Sequence, residues 1–117
     1  MSGATRMADL VGQPMSGVSF VHDYVEFLFD GMILRSLTDP VVTSGKASFA
    51  MPREGARDAF CALIGERVSN VVVREGDRID LRFEGGSLIT VPLGDSDRRG
   101  PEAAHFVPGE NQPIEVW

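Results

Sequence analysis

The chain reads as an α+β domain, predominantly antiparallel β, built from two tandem helix-plus-β-meander repeats with approximate two-fold symmetry around one core. Three observations predict this. Leu10-Val11-Gly12 returns as Leu63-Ile64-Gly65, Ser16 as Ser69, Val18 as Val71 and Phe29-Asp30-Gly31 as Phe83-Glu84-Gly85, with Leu34 opposite Leu88. The register between the copies is constant up to Asp23 and then slips by one residue, as two hairpin turns of unequal length require. Each copy also opens on a short helical pattern that ends at a glycine, Gly12 or Gly65, and passes into alternating apolar residues. The expected organisation is one domain, residues 1–117, with repeats spanning about 5–52 and 53–117. Strand number alone does not choose between a barrel-like closure and two layers. Each copy has one apolar sheet face and one helix, too little for stability alone, so both must share a core.

Residues 1–4 read as a frayed tail. Thr5 is placed to cap a short helix reaching Val11. A strand is expected over Met15 to Val21, a turn at His22-Asp23-Tyr24 and a returning strand over Val25 to Asp30, where Val25, Phe27 and Phe29 share one face. After Gly31, Ile33 to Leu37 forms a third strand. Asp39-Pro40 and Ser44-Gly45 mark Thr38 to Lys46 as a loop with an extended piece at Val41-Val42, followed by a short strand from Ala47 to Met51. Pro52 introduces a helix from Arg53 to Ile64 whose apolar side is Ala56, Phe60, Leu63 and Ile64. In the second copy Ile79, Leu81 and Phe83 alternate with Arg78, Asp80, Arg82 and Glu84, the mark of a strand with one buried and one wet face. Gly85-Gly86 turns the chain into a strand over Ser87 to Val91. A polar loop from Asp95 to Pro101 leads to Ala103 to Val107, and Pro113 to Trp117 adds an edge strand whose Trp117 seals the core.

Composition excludes several function classes. A net charge of -6, with no run of Lys or Arg beyond Arg98-Arg99, argues against nucleic acid or an anionic membrane as partner. A single cysteine forbids an intramolecular disulfide, and no segment has the length of apolar sequence that spans a bilayer, so the expectation is a cytoplasmic protein. No cofactor and no metal are expected. Ser44-Gly45-Lys46-Ala47-Ser48 lacks the earlier glycine of a phosphate loop. Asp95-Ser96-Asp97 opens like a calcium loop, but Arg99 stands where a third ligand belongs. No His or Cys pair has zinc spacing. Cys61 beside Phe60 reads as a small core residue, and His105 as a hydrogen-bonded structural side chain.

Catalytic candidates are sparse. His22, Asp23 and Tyr24 sit together at a turn, where Asp could orient an imidazole and Tyr could donate a proton, so they define the enzymatic or small-ligand alternative. The stronger signal is a difference between the copies. Glu66, Arg67, Arg74, Glu75, Asp77 and Arg82 correspond to Gln13, Pro14, Val21, His22, Tyr24 and Leu28, so six charges of the second copy are absent from the first. Val21 and Leu28 therefore fall on a face that the other copy keeps wet, which implies a covering. That covering is the Thr38–Lys46 loop or the C-terminal strand, a partner protein or second subunit, or a ligand in a cleft rimmed by His22 and Tyr24. The expected function is a small non-catalytic interaction module that self-associates, or an acidic inhibitor or immunity-type protein that masks a basic partner. Its expected surface is Val21, His22, Tyr24 and Leu28.

Overall fold

In the computed structural model, which describes residues 5–109 and 111–117, the chain folds into two five-stranded antiparallel sheets with three short helical segments. The expected tail at 1–4 lies outside the described residues. The first sheet contains β1 (Gly17–Val21), β2 (Tyr24–Phe29), β3 (Met32–Ser36), β9 (Ala104–Val107) and β10 (Glu115–Val116), side by side in that order. The second runs β5 (Ala47–Ala50), β4 (Val41–Ser44), β8 (Leu88–Pro92), β7 (Arg78–Phe83) and β6 (Val68–Arg74). No barrel closes, so the barrel-like possibility is corrected to two sheets. Each is a three-stranded meander extended by a hairpin that the chain supplies from its other half.

Alternation explains which faces meet. In β2 and β7 the residues Val25, Phe27, Phe29, Ile79, Leu81 and Phe83 are all buried, while Arg82 between them is exposed. The buried side chains of both sheets form one cluster, joined by Leu10 from the first helical segment and Phe60 from the second. Phe60 meets Phe27 with ring centroids 5.4 Å apart, tying helix to sheet. Inside this core the only buried polar residues among those described are Ser36, Thr38 and Ser87, each hydrogen-bonded: Ser36 donates to the Thr38 carbonyl, Thr38 to the Pro92 carbonyl, and Ser87 pairs with Ser44.

Several expectations shift in detail. The first helix is a 3-10 turn, Arg6–Leu10, whose Met7 amide donates to the Thr5 hydroxyl as the cap requires. The second, α1, spans only Ala56–Cys61 instead of Arg53 to Ile64, because Gly55 sits at φ +87° immediately before it and cannot be part of a right-handed helix. With the helix ending early, Ile64 faces solvent at 45% exposure and Cys61 is exposed, which corrects the reading of both as core residues. The extended piece expected at Val41-Val42 within the Thr38 to Lys46 loop is a full strand, β4 (Val41–Ser44), paired with β8 and turned at Gly45-Lys46 into β5. The first hairpin turn contains only His22 and Asp23, since Tyr24 already pairs with Val21, whereas Arg74 pairs with Arg78 across three turn residues. The polar loop after β8 carries a single 3-10 turn, Asp95–Asp97, and is pinned by Arg98, which donates to the carbonyls of Leu93 and Pro101.

Candidate functional site

Residues paired across antiparallel strands share a face, so the outer surface of the first sheet can be read from its register. One row is Gly17, Leu28, Ile33 and Val107. Leu28 leans over Gly17, whose missing side chain leaves it room: a Cβ there would stand 3.4 Å from the Leu28 methyl. The next row is Ser19, Glu26, Arg35, His105 and Val116. Its charges are already satisfied among themselves. Arg35 holds the Glu26 carboxylate at 2.8 Å and donates to His105 Nδ1 at 3.0 Å. The proton of that imidazole therefore sits on Nε2, which reaches Glu102 at 2.7 Å. Tyr24 and Val21 form the following pair, with the Arg35 guanidinium 5.4 Å over the Tyr24 ring.

The expected patch of Val21, His22, Tyr24 and Leu28 is thus divided. Glu26 and Arg35 stand between Tyr24 and Leu28 on the same face, about 13 Å of strand separating the two apolar ends. Leu28 instead joins Ile33 and Val107, which no local reading of the first copy could supply because Val107 arrives from the far end of the chain. Among the described residues neither covering expected from within the chain occurs. The segment after Thr38 pairs into the second sheet, and the C-terminal strand extends the first sheet at its edge without lying across it. At the equivalent height the second sheet presents Arg82, Leu88, Thr43 and Ser48, a polar row.

Val21, His22 and Tyr24 belong to the other end, where a cavity of about 550 Å³ opens. Its floor includes Phe20, Val25, Pro40 and Met51, and its rim carries Arg57 and Arg99. Arg99 bridges the opening, donating to the Asp39 carboxylate and to the Asp23 carbonyl, both at 3.0 Å. A second cavity of about 360 Å³ lies on the far side of Arg99, against Leu37 and Glu102. Arg57 lies 5.6 Å over the Phe20 ring, and among the described residues no carboxylate forms an ion pair with it.

His22 lines this cavity yet projects into solvent, its side chain 97% exposed. Its Nε2 stands 3.7 Å from Asp23 Oδ1, beyond hydrogen-bond reach, so nothing fixes the imidazole as a general base needs. Tyr24 is committed to the outer face beneath Arg35. Among the described residues no three His, Cys, Asp or Glu side chains gather into a group that could hold a metal, and no helix is long and apolar enough to cross a membrane. The Arg78 guanidinium is held above its ordinary range by its hydrogen bond to Asp80 and the charges of Asp80 and Asp77, a surface cluster away from both candidate regions. The chain matches no protein-family model, no curated protein and no solved structure.

Proposed function

We propose that this protein is a non-catalytic interaction module, built from two copies of one helix-plus-meander unit, that pairs with a second copy of itself through the outer face of the first sheet. The observation carrying this is the row Leu28, Ile33 and Val107, half-buried on the sheet face turned away from the shared core. Burial of such a row against its own two-fold mate is favourable at about 25 cal/mol per Å² of apolar surface. The adjoining Glu26, Arg35, His105 and Glu102 enter already paired, so no charge is left uncompensated on covering the face.

Size sets the strength. Five strands spaced about 4.8 Å apart and about five residues long cover roughly 400 Å² per partner, about half a standard interface. The dimer is therefore transient, and at a net charge of -6 its subunits repel one another.

The duplication is supported by strand order, which from the outer edge runs β1, β2, β3, β9, β10 in one sheet and β6, β7, β8, β4, β5 in the other. It is supported too by reciprocal backbone bonds where the copies meet. Gly12 donates to the Val68 carbonyl and Gly65 to that of Met15, while Met15 donates to Glu66 and Val68 to Gln13. At the constant register these are the same two bonds, each made twice, as an isologous contact demands.

Sedimentation of the wild-type chain over a wide concentration range tests the reading, with Leu28→Arg beside it. That substitution gives the first sheet the residue that Arg82 supplies in the second. The wild type is expected to shift from monomer towards dimer as concentration rises, and the variant to stay monomeric with its melting temperature nearly unchanged. A wild type that is monomeric throughout removes the proposal.

A further inference from the structure

The cavity at the β1–β2 turn is independent of the pairing face, and its chemistry is specific. From the geometry we infer that it binds a small amphiphilic anion, a monocarboxylate with an apolar body, whose carboxylate is held by Arg57. Its volume of about 550 Å³ lies within the range of small-ligand sites. The floor is apolar and largely buried: Val25 is 5% exposed, Met51 8%, and Pro40 is also buried, with the half-buried ring of Phe20 beside them. Most of the rest of the lining is polar, so the floor takes only a small body, a single ring or a short chain, beneath a polar group.

The polar rim decides the charge. Asp39 is already neutralised by Arg99, and Asp23 projects outward beside His22 with its side chain 80% exposed. Of the two arginines on the rim, Arg57 is the one that no carboxylate pairs with among the described residues. Its stacking on Phe20 orients the guanidinium at the border between floor and rim. A carboxylate there would accept from it as a charge-assisted pair while the attached body lies on the ring.

The opposite end of the molecule is joined differently. There the chain leaving β8 bonds directly to the neighbouring turn, the Leu93 amide donating to the Asp77 carbonyl at 2.8 Å, and Gly94 packs against Gly76. At the first turn the corresponding span is held by a side chain: Arg99 reaches from the Asp39 carboxylate to the Asp23 carbonyl, leaving the cavity beneath it. An arginine side chain thus makes at the first turn the connection that backbone makes at the second.

The test is titration of the isotope-labelled chain with benzoate, followed by amide shifts, alongside benzamide as a neutral mimic and inorganic phosphate as an anion without an apolar body. Benzoate is expected to saturate, with shifts gathered on Phe20, Tyr24, Asp39 and Arg57. Benzamide should bind at least about tenfold more weakly, and Arg57→Met should weaken benzoate by at least about tenfold, the loss of one charge-assisted pair. Arg57 is exposed, so the variant keeps its fold, which its unperturbed spectrum elsewhere will show. Equal binding of benzamide, an unchanged affinity in Arg57→Met, or phosphate saturating the same residues as tightly as benzoate would each overturn the assignment. None of these outcomes bears on pairing through Leu28, which sedimentation reads separately.

Discussion

Gly55 shows how much one residue settles here. It stands at φ +87°, and a Cβ at that position would lie 3.2 Å from the Phe49 ring. A left-handed backbone costs a non-glycine residue about 1–2 kcal/mol, and the Phe49 ring, packed against the core, has to give as well. Gly55→Ala is expected to lose about 2–3 kcal/mol of stability, read as a lower midpoint in denaturant titration at unchanged slope. The same residue explains a misreading. Glycine before Ala56 is compatible on paper with a helix from Arg53 to Ile64, because Ala56, Phe60, Leu63 and Ile64 keep helical spacing, whereas beyond Cys61 the chain tightens and Leu63 donates to the Phe60 carbonyl and Ile64 to that of Cys61. Periodicity registers which side chains could share a face and not where the hydrogen bonds stop, so Cys61 and Ile64 were assigned inward while the helix ended beside them. Arg57 was passed over for a related reason. Its role comes from Phe20, thirty-seven positions earlier, and no spacing rule joins an arginine on a helix to an aromatic on a distant strand.

At the scale of elements, legibility followed the strength of alternation. β7 could be read residue by residue because Ile79, Leu81 and Phe83 separate charged neighbours. β4 is legible only as an extended piece at Val41-Val42, because two valines followed by Thr43 and Ser44 carry no alternation, and its pairing with β8 depends on the chain's return nearly fifty residues later. β10 is shorter still. It is held by Trp117, which bonds to Ala103 and Ala104, and by Glu115, whose carboxylate accepts from the Thr5 hydroxyl and from the Arg6 amide at 2.7 Å. Glu115 thereby places an anion at the start of the 3-10 turn, where amides lack internal partners. Glu115→Ala is expected to cost about 1 kcal/mol, since the contact is near solvent. Amide exchange should quicken at Met7 and Trp117 together, while the amide of Phe27 keeps its protection. Faster exchange at only one of the two sites would mean that Glu115 does not couple the ends of the chain.

The whole molecule adds a constraint that neither residue nor element contains. Hairpin β4–β5 leaves the first half to join β8, and hairpin β9–β10 leaves the second half to join β3. Neither half therefore keeps a complete sheet. A chain cut at 52 would strip both sheets of two strands and open the shared cluster in which Phe27 touches Phe60. Residues 1–52 and 53–117 expressed separately are expected to be unfolded, and on mixing to regain the far-ultraviolet signal of the intact chain. In the intact protein, denaturation followed by Trp117 fluorescence and by secondary-structure signal should coincide in one transition. Separate midpoints, or a half that folds alone, would show that the exchanged hairpins are dispensable. The same scale distinguishes the two kinds of protein partner expected of so acidic a chain. Pairing with its own copy brings two net negative charges together, so added salt should strengthen the dimer by screening their repulsion as well as favouring apolar burial. Capture of a basic partner would weaken instead, because there the charges attract. Sedimentation at low and high salt therefore reads the sign of the long-range force. Only a dimer that tightens with salt fits a face whose own charges, Glu26, Arg35 and Glu102, are already spent on one another.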